Sequence, residues 1–401
     1  MISIENVQQA AKMIKGKVIK TPLVYSPSLS KMFGGEIYLK LENLQKTGSF
    51  KIRGATYSIL KNKDRIGDGG VVTASAGNHA QGVALAARQA FIPATIVMPE
   101  WASITKQEAT RGYGGEVVIE GQSLGECLKK AEEMALQGKT FIHPFDDHDI
   151  IVGQGTMALE IMEDLKDTDI ILVPIGGGGI ISGIASTVKS IRPGITVIGI
   201  QSSACASAYE SYRTGKITKV DSHYSIADGI NVKQVGNLNF DIIRKYVDDV
   251  VLVDEDQIAA AILLLLERKK ILAEGAGAVS LAALLNGSVG VTRGSRVVLL
   301  ISGGNVDSSL LGRILSQGLL KNARIMRMRV CLTDTPGSLA QLLALISGLK
   351  ANVLHIYHDR GARNLPIYVT RVDLELETRG SDHVEEIART LNMAGYEMEL
   401  R

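Results

Sequence analysis

Residues 170–183 read Ile170-Ile171-Leu172-Val173-Pro174-Ile175-Gly176-Gly177-Gly178-Gly179-Ile180-Ile181-Ser182-Gly183. The opening run is apolar throughout, which suits a strand covered on both faces of a sheet. Four glycines break it, and a helical pattern follows. Consecutive glycine N–H groups at the start of a helix form a nest for an anion. The spacing does not match GxGxxG, and no GKT or GKS follows, which disfavours a dinucleotide or a nucleotide P-loop. A compact phosphate monoester fits Gly176, Gly177, Gly178 and Gly179 better.

The same alternation continues on both sides. Upstream, Val71–Thr73, Ala94–Met98 and Glu116–Ile119 read as strands. Helical patterns lie between and after them, at about His79–Ala90, Ile104–Arg111 and Leu124–Leu136. Downstream, Val197–Gln201, Val250–Val253 and Val297–Ser302 read as strands separated by helices. Such alternation predicts α/β layers around parallel sheets.

The pattern changes after about residue 322. Ile325–Leu332 is a strand with alternating basic residues, and Asp334-Thr335-Pro336-Gly337-Ser338 opens a helix. Ser338 or Asp334 is the expected cap. Val353–His358 and Ile367–Leu376 read as strands, Ser381–Leu391 as a helix and Tyr396–Leu400 as a last strand. The order β-α-β-β-α-β is the split βαβ arrangement. It predicts a small α+β domain over 325–401 beside a larger one over 1–320.

Composition narrows the function classes. The 401 residues are 45% apolar and 21% charged, with 44 basic and 42 acidic side chains and a formal charge of +2. This balance gives no general attraction to nucleic acid or to an anionic membrane. The basic cluster Lys321, Arg324, Arg327 and Arg329 reads as a solvated linker and strand face. Cys127, Cys205 and Cys331 are far apart, with no metal spacing, and read as idle thiols in a reducing compartment. Met1–Lys20 has no apolar run, so neither a signal peptide nor an anchor is expected. The longest apolar stretch, Ile258–Leu266, is too short for a membrane span and reads as a buried helix. A cytoplasmic protein is expected.

Three further stretches carry chemistry. In Thr47-Gly48-Ser49-Phe50-Lys51 a polar turn leads into a helix. A lysine in the first helical turn faces the positive end of the dipole, which lowers its pKa and suits covalent attachment to a carbonyl or action as an amine base. A surface lysine is the bland alternative. Ser75-Ala76-Gly77-Asn78-His79 follows a strand and opens a helix, so its N–H groups suit a carboxylate; an ordinary capped helix is the alternative. Ser302-Gly303-Gly304-Asn305 ends a buried strand, at the sheet edge where α/β folds bind ligands. A plain strand-ending turn explains it equally well.

In this order, Gly48–Lys51, Ser75–His79, Gly176–Gly179 and Ser302–Asn305 resemble the threonine dehydratase (threonine ammonia-lyase) family over about residues 5–320. That family belongs to the fold-type-II pyridoxal-phosphate enzymes, the tryptophan synthase β-like fold. Two subdomains are implied, the smaller at about 48–147. The resemblance implies that Lys51 is catalytic and carries pyridoxal phosphate, that Phe50 packs by the ring, and that Asn78 meets its 3-hydroxyl. It also implies that Gly176–Gly179 and Ile180 cradle the phosphate, and that Ser302, with Gly303, meets the pyridine nitrogen. Gly229, in Ile226–Ile230, and Glu274, in Ala273–Gly275, resemble family segments that line the cofactor. Ser75, Ala76, Gly77, Asn78 and His79 are the implied substrate loop. L-threonine, and also L-serine, is the implied substrate.

Serine racemases of the same lineage carry a second serine where this chain has Ala76. A methyl group carries no proton, so the resemblance favours dehydration over racemisation. The C-terminal unit resembles an ACT domain, a module that binds amino acids. Pro336, Gly337, Asn352, Val353 and Leu354 are the implied effector contacts, isoleucine or valine is the implied effector, and a homodimer or homotetramer the implied assembly. A dimerisation module without ligand is the alternative for that unit, and a non-catalytic amino-acid sensor for the whole chain. His143-Pro144-Phe145-Asp146-Asp147-His148-Asp149 looks metal-rich but describes a turn and a helix cap, so no metal is expected.

Overall fold

The computed structural model describes residues 2–361 and 365–401. They fall into two compact units, Met1–Asp307 and Ser308–Arg401. The first holds two sheets. One has six strands in the order Leu23–Tyr25, Glu36–Leu41, Arg296–Ile301, Ile170–Pro174, Thr196–Ser202, Asp249–Val253. All pair in parallel except the antiparallel edge strand Leu23–Tyr25. The other sheet is wholly parallel, in the order Glu116–Ile119, Ala94–Met98, Val71–Ala74, Thr140–Phe141.

Both sheets are covered by helices, as their continuous apolar strands require. Ile171, Val173, Ile184, Val298 and Leu300 are fully buried in the core of the larger sheet, and Ile96, Val83 and Ala87 in that of the smaller. The expected strands are present with ends moved by a residue or two. Leu23–Tyr25 and Thr140–Phe141 had no legible signal: at three and two residues they are too short to show a period. The apolar stretch at 258–266 is split between the helix Glu255–Leu264 and a π-helical turn, Leu265–Lys269. No helix among the described residues is long and apolar enough to cross a membrane.

The second unit is a four-stranded antiparallel sheet in the order Asn352–Asp359, Val369–Glu377, Ile325–Thr333, Met398–Leu400. Its helices Ser338–Gly348 and Ser381–Met393 complete the βαββαβ order, and the helix Ser308–Lys321 precedes it. Alternate residues Met326, Met328, Val330 and Leu332 are buried against Leu342, Ile346, Ile387 and Leu391. The expected side-chain cap is absent. Gly337 caps Ser338–Gly348 in the left-handed region, φ +94°. Asp334 pairs with Arg360 at 3.2 Å, and the Ser338 hydroxyl bonds that of Thr335. Both candidate caps are thus engaged elsewhere.

Candidate active site

The strand Glu36–Leu41 leads through a 3-10 turn, Glu42–Leu44, into the Thr47–Ser49 turn. That turn is stitched to the end of Arg296–Ile301. Phe50 N donates to Ser302 O at 3.1 Å, Gly304 N donates to Gly48 O at 2.9 Å, and Ser49 bridges Gly303. Gly48 has φ +72°, and a Cβ there would strike the Asn305 amide. The helix Lys51–Lys61 begins directly after Phe50. The Lys51 amine donates to Pro144 O at 2.8 Å and lies 5.3 Å from the Phe50 ring centroid. Burial lowers its pKa to about 8, against the opposing pull of Glu274.

Gly176 to Gly179 are buried between Ile170–Pro174 and the helix Gly179–Ile191. Gly178 takes φ +100°, and no side chain caps the helix. Among the described residues no acceptor meets the N–H groups of Gly176, Gly177, Gly178, Gly179 or Ile180. Buried donors without partners are costly and point to a missing acceptor. The Ile180 side chain packs into the core of the large sheet, which leaves only its backbone N–H turned to the loop. The Phe145 ring occupies the place a Cβ of Gly177 would take. That ring stands edge-on to His143, 4.9 Å between centroids.

The loop after Val71–Ala74 supplies a second set of donors. Ser75 Oγ accepts from Gly77 N at 3.2 Å. The helix Asn78–Ala90 has no side-chain cap, and the N–H groups of Ala76, Asn78 and His79 have no acceptor among the described residues. Ala76 packs against the core of the small sheet. The His79 ring turns inward and donates to Ile142 O at 3.1 Å, and burial lowers its pKa to about 3. Only its backbone faces the loop's other donors.

A polar seam joins these elements. Asn78 Nδ2 donates to Glu274 Oε1 at 2.7 Å, and Asn305 Nδ2 donates to Asn78 Oδ1 at 2.7 Å and to Thr47 O at 2.8 Å. Glu274 N donates to Gly303 O, and a Cβ on Gly229 would lie 3.7 Å from Glu274 Oε1. Burial, then the nearby Asp228 carboxylate, raises the Glu274 pKa to about 8. Ser302 Oγ makes one long bond, 3.3 Å, to Ala276 O. Thr47, Asn78, Glu274 and Gly303–Asn305, distant in sequence, thus meet in one hydrogen-bonded network.

A family model described as pyridoxal-phosphate dependent enzyme matches residues 14–303. The chain belongs to the pyridoxal-phosphate-dependent enzymes. It is 48% identical to an L-threonine ammonia-lyase of Thermotoga maritima, over 100% of both chains. It is 45% identical to an L-threonine ammonia-lyase of Geobacter sulfurreducens, over 97% of each. Among solved structures, maize serine racemase superposes with a TM-score of 0.75 at 36% identity, covering 80% of this chain and 99% of that one.

The residues fit a pyridoxal-phosphate enzyme. The free N–H groups of Gly176–Ile180 suit a phosphate monoester at a helix N-terminus. Lys51 offers a desolvated amine, and the buried hydroxyls of Thr47 and Ser49 lack partners. Sequence reasoning missed two neighbours of this enzyme's site, Pro144 and Phe145, whose roles come from long-range packing alone. It also missed Lys106, which pairs with Asp228 at 3.1 Å and with Asp307 at 3.7 Å. The acidic stretch 146–149 does act in capping. Asp146 accepts from Asn237 N at 2.9 Å and Leu238 N at 3.0 Å, and Asp147 caps the helix His148–Asp164. No metal-ligating group of three is present among the described residues.

In the second unit the implied effector residues separate. Pro336 and Gly337 line a cavity of about 160 Å³ with Asp334, His358, Arg360 and Thr370. Asn352 pairs with Glu377, which also pairs with Ile325, while Thr333 pairs with Val369. Asn352, Val353 and Leu354 therefore sit at the opposite end of the sheet from Gly337.

Proposed function

We propose that this chain is a threonine ammonia-lyase, converting L-threonine to 2-oxobutanoate and ammonia with pyridoxal phosphate carried on Lys51. One observation carries the reading. A lysine amine with its pKa lowered to about 8 shares its site with two sets of N–H donors that have no acceptors among the described residues, the buried run Gly176–Ile180 and the more open loop donors Ala76, Asn78 and His79. Full-length identity of 48% to an L-threonine ammonia-lyase supports the substrate. L-Serine is the expected second substrate.

Bound pyridoxal phosphate supplies an electron sink for the pair left at the substrate Cα. The protein's own groups do the rest. The N–H groups of Ala76, Asn78 and His79 orient the amino-acid carboxylate, and those of Gly176–Ile180 hold the phosphate. Phe50 would pack by the ring, Asn78 would meet the 3-hydroxyl, and Gly229, Glu274 and Gly303 would complete the lining. The neutral amine of Lys51 removes the Cα proton, a role that needs a pKa near the working pH. Ser302 would meet the ring nitrogen, and a hydroxyl there cannot supply a proton as a carboxylic acid would. Without that proton the cofactor would be a milder electron sink, which would favour loss of the β-hydroxyl over transamination.

Racemisation of serine is the second reading, favoured by the likeness to maize serine racemase. Ala76 opposes it, since a methyl group offers no second proton. The second unit reads as an ACT domain. Its cavity at Asp334–Gly337 joins a helix N-terminus, Arg360 and Asp334, a set that suits the two charges of an amino acid. Isoleucine or valine is the effector to test, in a cytoplasmic homo-oligomer of a branched-chain biosynthetic route.

The test is 2-oxo-acid formation from L-threonine by purified protein. Wild type is expected to be yellow and active, and Lys51→Ala to lose at least about 10²- to 10⁴-fold. Activity of Lys51→Ala within tenfold of wild type overturns the reading. Kinetics unchanged by saturating isoleucine and valine, with no heat of binding, overturn the regulatory part.

A further inference from the structure

Among the described residues Arg53 is the largest fully buried side chain, and the proposed chemistry gives it no role. It lies two residues past Lys51 on the same helix. Its guanidinium is saturated. Nε and Nη2 donate to Glu42 Oε2 and Oε1, both at 2.8 Å. Nη1 and Nη2 donate to Glu160 Oε1 and Oε2 at 2.7 and 2.8 Å. Nη2 also reaches Ile19 O at 3.2 Å, and Nη1 reaches Thr156 Oγ1 at 3.3 Å. Lys40, equally buried, donates to Glu160 and to Thr21 O. Two cations and two carboxylates thus form a closed, neutral cluster.

The partners are informative because of what else their elements carry. Glu42 begins the turn that leads into Lys51. Glu160 lies on His148–Asp164, the helix that follows Pro144, whose carbonyl holds the Lys51 amine. The two helices cross with backbones touching. A Cβ on Gly153 would lie 2.6 Å from Gly54 Cα, and one on Gly54 would lie 2.8 Å from Ile150 O. The crossing has no slack along its separation, but two smooth glycine surfaces do not define rotation. A planar fork with two bidentate carboxylates does. A buried ion cluster is a weak source of stability beside apolar side chains of the same volume, so orientation is the better account of this one.

We propose that Arg53 is a positioning residue for Lys51: by clamping Glu42 and Glu160 it fixes the roll of the helix Lys51–Lys61 on His148–Asp164, and so places the Lys51 amine on Pro144 O. The inference rests on the proposed role of Lys51.

The experiment compares wild-type holoenzyme with Arg53→Lys, which keeps the charge and loses the fork, and with Arg53→Met/Glu42→Leu, which removes one cation and one carboxylate together. Each is measured for thermal melting, for the pH midpoint of its visible absorption without substrate, and for kcat and KM with L-threonine against pH. A rolled helix admits water to the amine, so the absorption midpoint and the acid limb of kcat move up in pH. The expected kcat falls by about 10- to 100-fold, with KM little changed, in variants that melt close to wild type. Wild-type kcat and midpoint in either folded variant overturn the proposal. So does activity lost only in proportion to folded protein, with a wild-type midpoint in the fraction that remains, because Arg53 is then only a brace. A wild type without visible absorption or 2-oxo-acid formation overturns the reading of Lys51 as well, which separates the two failures.

Discussion

In the first unit Lys40, Glu42 and Arg53 are buried completely, whereas in the second Arg327, Arg329, Asp373 and Glu375 pair across neighbouring strands on the face turned away from the core. The core of the second unit is built from Met, Val, Leu and Ile side chains, with Ala351 at its margin. The first unit also buries Glu274 and desolvates the Lys51 amine beside the glycine loop. Removing charge from water is costly, and apolar packing makes a stabler interior. Buried charge is therefore concentrated where chemistry or orientation requires it. Among the described residues of the second unit no Lys, Arg, Asp or Glu is fully buried.

Glu274 offers the sharpest way to break that contrast. Its folded-state pKa is raised from 4.5 to about 8. The folded protein holds this proton more tightly than the unfolded chain does. The contribution to stability is therefore complete below pH 4.5 and is lost as pH rises through about 8. Glu274→Gln stays neutral and keeps an acceptor for Asn78. In the cofactor-free protein it is expected to be more stable than wild type at pH 8–9, on the order of a few kcal/mol, with the gain vanishing near pH 4.5. Urea unfolding at the two pH values checks it. An equal difference at both would mean that Glu274 is ionised in the fold, and that this interior tolerates charge as readily as a surface.

Gly177→Ala follows in size. The new Cβ enters the space of the Phe145 ring. Overpacking of this kind costs about 1–3 kcal/mol. It is expected to appear as at least about a tenfold loss of pyridoxal-phosphate affinity, since the loop must shift as the ring does. Titration of the cofactor-free protein measures it. Wild-type affinity would show that the cradle's geometry does not depend on the Phe145 contact.

These two cases also mark how far the sequence was legible. The glycine run announced a helix start with unpaired N–H groups, and the apolar strands around it announced a parallel sheet, because both signals are local. Lys51 at a helix start was local too. The rest depends on which distant segments meet. Asn78 reaches Glu274 across 196 positions, and Lys51 reaches Pro144 across 93. No spacing rule joins such pairs before the topology is known. His79, adjacent to the loop in sequence, turns its ring inward because the first helical turn points it at Ile142. Nothing in the sequence singles out Arg53, since burial of a charge is visible only when its partners are. In the second unit the alternation of Ile325–Thr333 was plain, because one face is wet and the other dry.

The cross-strand pairs of the second unit give the smallest effect and the control for the rest. Arg329 meets Asp373 with two hydrogen bonds, Nε to Oδ1 at 2.6 Å and Nη2 to Oδ2 at 3.0 Å. The geometry matches the bidentate pairs of Arg53, but the two side chains remain 25% and 36% exposed. Water screens the pair and rehydrates whichever partner is left alone. A double-mutant cycle of Arg329→Ala and Asp373→Ala, read by thermal or urea unfolding, is expected to give a coupling of about 0.2–1 kcal/mol. The coupling should shrink further in 1 M salt, where the screening length falls to about 3 Å. Removing one partner of the buried cluster, by contrast, is expected to cost about 3–5 kcal/mol, because the other charge stays buried and uncompensated. If the Arg329–Asp373 coupling approached that range and resisted salt, solvent exposure would not be what separates the two units. The strength of both pairs would then come from the bidentate geometry that they share.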